Sequence, residues 1–201
     1  MGDTRLPQDL ASIVARRLAE RRGEFAVIGM ARSGASVARM LRAAGLSVYV
    51  SDASDSAEVR ATGAELERAG AMVQVGGHDL ARIAHASVVV VSPGVPPSAP
   101  PIAAARAADV PIVSEVEVAL RLQPALRVIA TTGTNGKTTT TALIGHLLRA
   151  LGHDAVDVGN IGTPISEIAL RAVPPSWASL EMSSFQLHDT PGFMPDVGVL
   201  T

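Results

Sequence analysis

The sequence contains no cysteine and very few aromatic residues. With no cysteine among 201 residues, disulfides, thiolate metal sites and a cysteine nucleophile are excluded. Aromatic residues make up 2% of the chain and hydrophobic residues 47%, so the core must be built from alanine, valine, leucine and isoleucine. A chain of this length, with 18% charged residues, can bury a core in one large domain or two small ones.

Long basic runs, a signal-peptide core and a membrane-spanning segment are also missing. The formal net charge is −2, and nothing in the charge pattern favours binding to nucleic acid. The opening stretch MGDTRLPQDL has no apolar core of the kind found in signal peptides. No apolar run reaches the roughly 18 to 20 residues that span a bilayer. We therefore expect a cytoplasmic protein that binds neither nucleic acid nor a membrane.

Short valine-rich stretches alternate with alanine-rich helical stretches along the chain. EFAVIGM, LSVYVSD, AMVQVGG, ASVVVVSPG and PIVS are predicted strands of a first domain. Their alternation with helices predicts a parallel sheet covered on both faces, of which the unbroken valines at 88–91 are typical. Pro124 interrupts the helical run EVEVALRLQ, so we place this domain at residues 1–124. Residues 125–201 are predicted to form a second α/β domain, with RVIATT, WASLEMSS and PDVGVLT as strands.

The stretch TTGTNGKTTT, residues 131–140, has the features of a loop that binds nucleotide phosphates. It opens a predicted helix, whose first backbone N–H groups lack partners and, with the helix dipole, attract anions. Gly133 and Gly136 permit a close approach to phosphate oxygens. Lys137 can neutralise the β- and γ-phosphates, and the Thr138 hydroxyl can ligate Mg²⁺. In the general P-loop pattern the first glycine would fall two residues before Gly133.

A second glycine-containing turn, GMARSGAS at residues 29–36, follows the first predicted strand. Gly29 and Gly34 match the dinucleotide-binding fingerprint, but Ala31 replaces the middle glycine that lets a pyrophosphate approach the backbone. Asp52 ends the second predicted strand, where an acidic residue would bind a ribose hydroxyl. The residues alone leave open an NAD(P)-dependent Rossmann oxidoreductase and a non-catalytic nucleotide-binding module.

Three spaced motifs resemble the Mur ligase family, the amino-acid-adding enzymes of peptidoglycan synthesis. TTGTNGKTTT is similar to the ATP loop of the family, T-G-T-N/H-G-K-T/S. GNIGTP at residues 159–164 and LEMSSFQL at residues 180–187 resemble motifs of the branch that adds D-glutamate. The resemblance runs through all 201 residues in element order. It implies an α/β fold with a Rossmann-like parallel-sheet domain followed by an incomplete P-loop-type ATPase domain.

The resemblance also implies a role for each matching position. The ATP-binding residues would be Gly133, Thr134, Asn135, Gly136, Lys137, Thr138 and Thr139. The residues that bind the UDP-sugar substrate would be Ser33, Gly34, Asp52, Ser92, Pro93, Gly94, Asn160 and Ser183. Lys137 and Glu181 would be catalytic, and Thr138 and Glu181 would hold a magnesium ion. His188 departs from the family pattern, which commonly has an acidic residue there.

The activity implied by the resemblance is an ATP-dependent ligation. D-glutamate would be joined to UDP-N-acetylmuramoyl-L-alanine through an acyl phosphate, by a protein that is monomeric at full length. The family continues after the position of Thr201 with further metal-binding residues and a third domain. We therefore expect the 201-residue chain by itself not to catalyse ligation.

Overall fold

The computed structural model describes residues 7–20, 22–160 and 162–201, so Ile161 of the GNIGTP motif lies outside the described residues. The helices are α1 (Pro7–Glu20), α2 (Arg32–Ala43), α3 (Ala57–Arg68), α4 (Leu80–Ala84), α5 (Pro100–Ala107), α6 (Glu115–Leu122), α7 (Lys137–Ala150), α8 (Ile165–Ala169) and α9 (Ser184–His188). The strands are β1 (Glu24–Ile28), β2 (Ser47–Asp52), β3 (Met72–Val75), β4 (Val88–Val91), β5 (Ile112–Ser114), β6 (Arg127–Thr132), β7 (Ala155–Gly159), β8 (Trp177–Glu181) and β9 (Val197–Leu200). We call α1–α6 with β1–β5 the first unit, and α7–α9 with β6–β9 the second unit.

The first unit is built on a parallel sheet with strand order β3-β2-β1-β4-β5. Successive residues of a strand point to opposite faces. Phe25 and Val27 of β1 accordingly pack in a cluster that includes residues of α1, α2, α3 and α6. Ala26 and Ile28 pack on the other face with residues of α4 and α5. The prediction of a parallel sheet covered on both faces is confirmed.

The order of this sheet reverses between β1 and β4. In sheets of this type the chain leaves neighbouring strands in opposite directions at such a point, which opens a crevice at their carboxyl ends. The turn after β1 and the loop Ser92–Gly94 after β4 lie at this edge.

The first unit also contains the only tyrosine of the sequence, Tyr49 of β2, which is buried and donates a hydrogen bond to Gln74 Oε1 over 2.7 Å.

The second unit is built on a parallel sheet with strand order β7-β8-β6-β9. Thr131 of β6 and Gly159 of β7 are both in register with Glu181 of β8, so three strands end side by side. At the opposite end of β8 stands the only tryptophan, Trp177. The Arg127 guanidinium lies 3.9 Å from the centre of its ring.

The two units share one continuous apolar cluster. It contains Val27 and Val90 of the first sheet and also Val158 and Leu180 of the second. Helices α2, α6 and α8 pack against one another between the sheets. None of the helices in the described ranges is long and apolar enough to cross a membrane.

Two short helices differ from the sequence-based prediction. The strand WASLEMSS was expected to run to residue 184, but β8 ends at Glu181. Ser183 instead caps α9 through a reciprocal pair of hydrogen bonds with Gln186, a capping box that ends the extended backbone. Helix α4, capped by the Asp79 side chain, was not predicted at all.

Candidate functional site

The loop between β6 and α7 presents the start of a helix without a side-chain cap. Gly136 is the N-cap of α7, with φ of 76°, no capping side chain and no acidic residue in the following turn. The first backbone N–H groups of α7 therefore remain available to an anion. Lys137 folds back over the loop, and its Nζ donates hydrogen bonds to the carbonyl oxygens of Gly133 (2.8 Å) and Thr134 (3.2 Å). This arrangement concentrates positive potential at the carboxyl end of β6.

The close contact between the loop and the end of β9 requires a glycine at position 133. Its φ is 143°, and a Cβ at this position would lie 1.9 Å from the carbonyl oxygen of Thr201. That oxygen accepts a hydrogen bond from the Thr134 N–H over 3.1 Å, and Thr201 N–H donates to the Thr132 carbonyl over 2.9 Å. The glycine that departs from the general P-loop spacing is therefore the one that lets β9 brace the loop.

Asn160 and Glu181 meet beside this loop. Glu181 is 2% exposed, and its Oε1 accepts a hydrogen bond from Asn160 Nδ2 over 3.2 Å. The backbone N–H of Asn160 also donates to the Glu181 carbonyl over 2.9 Å. Gly159 permits this approach, because a Cβ there would lie 2.1 Å from the same carbonyl oxygen. Neighbouring strands lie about 4.8 Å apart, so the register of Thr131 with Glu181 places the carboxylate next to the strand that leads into the loop.

The oxygen atoms at this edge suit magnesium. Thr138 and Thr139 are exposed in the first turn of α7. Magnesium is usually held by one or two carboxylates together with substrate phosphates and water. The Thr138 hydroxyl and the Glu181 carboxylate fit that donor set. Within the described residues no group of three or more histidine, aspartate or glutamate side chains could hold a metal ion.

In the first unit, Gly34 allows the turn after β1 to close tightly. A Cβ at Gly34 would lie 1.9 Å from the Gly29 carbonyl oxygen. The same carbonyl accepts a hydrogen bond from the Ser92 hydroxyl over 3.2 Å. The Ser92 side chain is thus buried and holds the turn from β4, while Pro93 and Gly94 are exposed at the edge.

Asp52 holds the same turn from β2. Its Oδ2 accepts a hydrogen bond from the Met30 N–H over 2.7 Å, and its Oδ1 accepts one from the Ser54 N–H over 2.8 Å. Ser33 is half-buried in the first turn of α2. The structure therefore brings Ser33, Gly34, Asp52 and the loop after β4 to one edge of the first sheet.

His78 is a residue at this edge that sequence reasoning passed over. It follows β3, and its Nδ1 lies 2.8 Å from the hydroxyl of the buried Ser51. Burial lowers the pKa of His78, and the charge of Asp52 opposes that shift in part. No spacing in the sequence singles out this histidine, because its partner lies 27 residues away.

A cavity of about 370 Å³ lies between the two units. From the first unit it is lined by Ser92, Pro93 and Arg106, and from the second by Phe185 and Gln186 of α9. Ser183 stands at the start of α9, where its hydroxyl accepts a hydrogen bond from the Gln186 N–H over 3.3 Å. The cavity therefore joins the loop after β4 to the LEMSSFQL motif.

Two parallel sheets, one of which leads into a phosphate-loop motif, define an α/β protein with P-loop architecture. The model of the Mur ligase MurD-like N-terminal domain matches residues 23–114, and that of the Mur ligase middle domain matches residues 131–201. The chain belongs to the Mur ligase family. The resemblance drawn from the three motifs is confirmed, and the oxidoreductase alternative is not favoured.

Curated relatives carry the name UDP-N-acetylmuramoylalanine–D-glutamate ligase. The protein from Frankia casuarinae is 44% identical over 169 residues, which are 84% of this chain and 36% of the relative. The protein from Koribacter versatilis is 38% identical over 174 residues, which are 87% of this chain and 38% of the relative. The chain thus spans less than two fifths of the length of these two relatives.

Solved structures of more distant relatives share the fold. A murein peptide ligase from Psychrobacter arcticus aligns with a TM-score of 0.52 at 20% identity, covering 89% of this chain and 42% of the other. The UDP-N-acetylmuramate–alanine ligase from Thermotoga maritima aligns with a TM-score of 0.50 at 22% identity, covering 89% and 41%. The predicted class, a Rossmann-like sheet followed by a P-loop-type unit, is confirmed at the level of the fold.

Proposed function

We propose that this chain forms the UDP-sugar site and part of the ATP site of a ligase that joins D-glutamate to UDP-N-acetylmuramoyl-L-alanine. The observation that carries the proposal is the convergence at one sheet edge of an uncapped helix start, Lys137 and the Asn160–Glu181 pair. The names of the curated relatives support the choice of substrates. The boundary between the two functional parts is proposed to lie between residues 124 and 125, in the link from α6 to β6.

ATP would bind with its phosphates against the loop after β6. The proposed binding residues are Gly133, Thr134, Asn135, Gly136, Lys137, Thr138 and Thr139. The free N–H groups at the start of α7 would take phosphate oxygens. The Lys137 ammonium group would leave the two loop carbonyls and bind the β- and γ-phosphates. Its hydrogen bonds to phosphate are stronger than those to carbonyl oxygens, because they join two charged groups.

Thr138 and Glu181 would hold magnesium between the protein and the phosphates. When bound, the ion supplies positive charge that neutralises the triphosphate and makes the γ-phosphate more electrophilic. Glu181 is buried next to the proposed phosphate position, where an uncompensated carboxylate would repel the nucleotide. Asn160 orients that carboxylate through its side-chain amide.

The UDP part of the substrate would bind at the carboxyl edge of the first sheet. Ser33 and Gly34 would face the diphosphate at the start of α2, and Asp52 the nucleoside. Ser92 would act through the Gly29 carbonyl, with Pro93 and Gly94 at the surface of the site. The cavity between the units would lead the sugar and its alanyl group towards Ser183 and Asn160.

The reaction would proceed in two displacements. An oxygen of the alanyl carboxylate attacks the γ-phosphorus, the bond from that phosphorus to the β–γ bridging oxygen breaks, and ADP leaves. The amine of D-glutamate then attacks the acyl carbon of the resulting acyl phosphate, loses a proton, and inorganic phosphate departs with the electron pair of the C–O bond. Lys137 and the helix N–H groups would neutralise the charge that develops on the transferred phosphoryl group. We expect the complete enzyme to be a cytoplasmic monomer that binds neither nucleic acid nor membrane.

Calorimetric titration of the chain tests the proposal. We expect UDP-N-acetylmuramoyl-L-alanine and Mg·ATP to bind, and NAD⁺ not to bind. Lys137→Ala should weaken Mg·ATP binding by about tenfold or more, since it removes a hydrogen bond between charged groups. The same variant should leave the UDP-sugar affinity unchanged. Binding of NAD⁺ without the UDP-sugar, or equal losses of both ligands in the variant, would contradict the proposal.

A further inference from the structure

The first turn of α8 is held by a carboxylate from the first unit. The N-cap of α8 is Pro164, and no side chain of its own segment caps it. The backbone N–H of Ser166 instead donates a 2.6 Å hydrogen bond to Oε1 of Glu115, the first residue of α6. A residue 51 positions away in the chain thus supplies the acceptor.

This carboxylate lies in an apolar environment. Glu115 is 2% exposed, and its Oε2 is buried without a hydrogen-bond partner. Val116, Ile165 and Ile168 belong to the apolar cluster that joins the units here. Burial of a carboxyl group in such surroundings is unfavourable unless it makes hydrogen bonds. An aliphatic side chain would pack at this position without the cost of burying a carboxyl group. The hydrogen bond from Ser166 is therefore the property of Glu115 that has to be explained.

The turn between β7 and α8 connects that contact to Glu181. Its backbone closes through a 3.0 Å hydrogen bond from the Gly159 N–H to the Thr163 carbonyl. Asn160 in this turn makes both of its hydrogen bonds to Glu181. Arg32, at the start of α2, donates a hydrogen bond to the Gly162 carbonyl. The first unit therefore accepts or donates hydrogen bonds at Ser166 and Gly162, through Glu115 and Arg32. Glu181 accepts the hydrogen bonds of Asn160 at the other end of the turn.

We propose that Glu115 is a positioning residue, which reaches from the first unit to fix the turn on which Asn160 meets Glu181. The consequence for the magnesium and ATP site rests on the proposed function, whereas the positioning itself does not. Without Glu115, the Ser166 N–H would lose its acceptor and the turn would open more often. Asn160 would then orient Glu181 less well for magnesium.

Amide hydrogen exchange of the ligand-free chain tests the positioning. We expect Glu115→Ala to speed exchange at Ser166 and Asn160 by about tenfold or more, because the buried Ser166 N–H would be left without an acceptor. Glu115→Gln retains an acceptor oxygen and should keep exchange within about twofold of the original chain.

The matched control is Glu117→Ala on the same helix. Glu117 is equally buried, at 2% exposed, and accepts a hydrogen bond from the Gly192 N–H of the second unit over 3.0 Å. This variant should speed exchange at Gly192 and not at Asn160. Unchanged exchange at Asn160 in Glu115→Ala, or the same increase there in Glu117→Ala, would overturn the inference. If Glu115→Ala does not fold, Glu115→Asp replaces it, because the shorter side chain withdraws the carboxylate by one methylene. Exchange at the Ser166 and Asn160 amides is then measured in the same way.

A second readout separates the inference from the proposed function. Glu115→Ala should weaken Mg·ATP binding several-fold and leave magnesium-free ATP binding unchanged, with rescue by Glu115→Gln. If the original chain binds no ATP, the proposed function fails while the exchange data still decide the role of Glu115. If it binds Mg·ATP and the variant does so equally well despite a loosened turn, the link from the turn to Glu181 is overturned.

Discussion

The ammonium group of Lys137 donates a 2.8 Å hydrogen bond to the carbonyl of Gly133, so the cation closes the loop that precedes its own helix. Lys137 is also the only lysine in the sequence. A ligand that takes over this ammonium group must therefore displace it from the carbonyl oxygens of Gly133 and Thr134. The side chain can be followed chemically without interference from another lysine.

Amine acylation offers a direct measure of nucleotide binding at Lys137. We expect Mg·ATP at ten times its dissociation constant to slow acylation of Lys137 by about tenfold, because only the unbound fraction reacts. The α-amino group at residue 1 serves as the internal reference and should react at an unchanged rate. Mass spectrometry of the modified peptides gives both rates. Equal slowing of the two amines would argue against a site at Lys137.

Replacement of Gly133 by alanine should destabilise the second unit. The added Cβ would meet the Thr201 carbonyl and would also impose a left-handed backbone on a residue that disfavours it. We expect a loss of at least about 2 kcal/mol in the free energy of unfolding, measured by denaturant titration.

Gly152→Ala separates the two causes. Gly152 has φ of 84°, and nothing lies within 4 Å of a Cβ built there, so this variant carries the backbone penalty alone. We expect it to cost roughly 1 kcal/mol. If both variants cost the same, the close approach of the Thr201 carbonyl to Gly133 adds no penalty for a Cβ at this position.

The burial of Glu115 makes stability depend on pH. Loss of solvation raises the pKa of this carboxyl from 4.5 to about 7, although the hydrogen bond from Ser166 favours the ionised form. The folded chain therefore binds this proton more tightly than the unfolded chain, and stability falls as pH rises from about 4.5 to about 7. The difference in pKa corresponds to a loss on the order of 3 kcal/mol, complete above the folded pKa.

Glu115→Gln is the variant that isolates this contribution. The other ionisable residues on α2, α6 and α8 are Arg32, Arg39, Arg42, Glu117, Arg121 and Glu167. They remain in both proteins, so the difference between the two stability curves reports Glu115. We expect the variant to gain on the original chain between pH 4.5 and 7, and the gain to level off above this range. Parallel curves in thermal or denaturant unfolding would show that Glu115 has the same pKa in the folded and the unfolded chain.

Local sequence patterns were sufficient for most of the strands and for the loop between β6 and α7. Valine runs, glycine positions and helix starts are short-range signals, and they placed Gly133, Lys137 and Glu181 on the correct elements. The direction of a side chain is a different matter. Nothing in SPGV indicates that the Ser92 hydroxyl points inward to the Gly29 carbonyl and not towards solvent.

Long-range partners account for the features that the sequence could not reveal. Nothing local in EVEVALRLQ indicates that Glu115 and Glu117 are buried and accept hydrogen bonds from the second unit. Their backbone donors lie 51 and 75 residues further on. The start of α9, by contrast, did have a local signal, since Ser183 and Gln186 have the spacing of a capping box.

The scarcity of aromatic residues gives each sheet its own optical probe. Tyr49 is buried in the first sheet and Trp177 begins β8 of the second, and the sequence has no other tyrosine or tryptophan. Tyrosine absorbance and tryptophan fluorescence can therefore follow the two halves of the molecule separately in one unfolding experiment. Because a single apolar cluster runs through both units, the two signals should change together, as they do in a cooperative two-state transition.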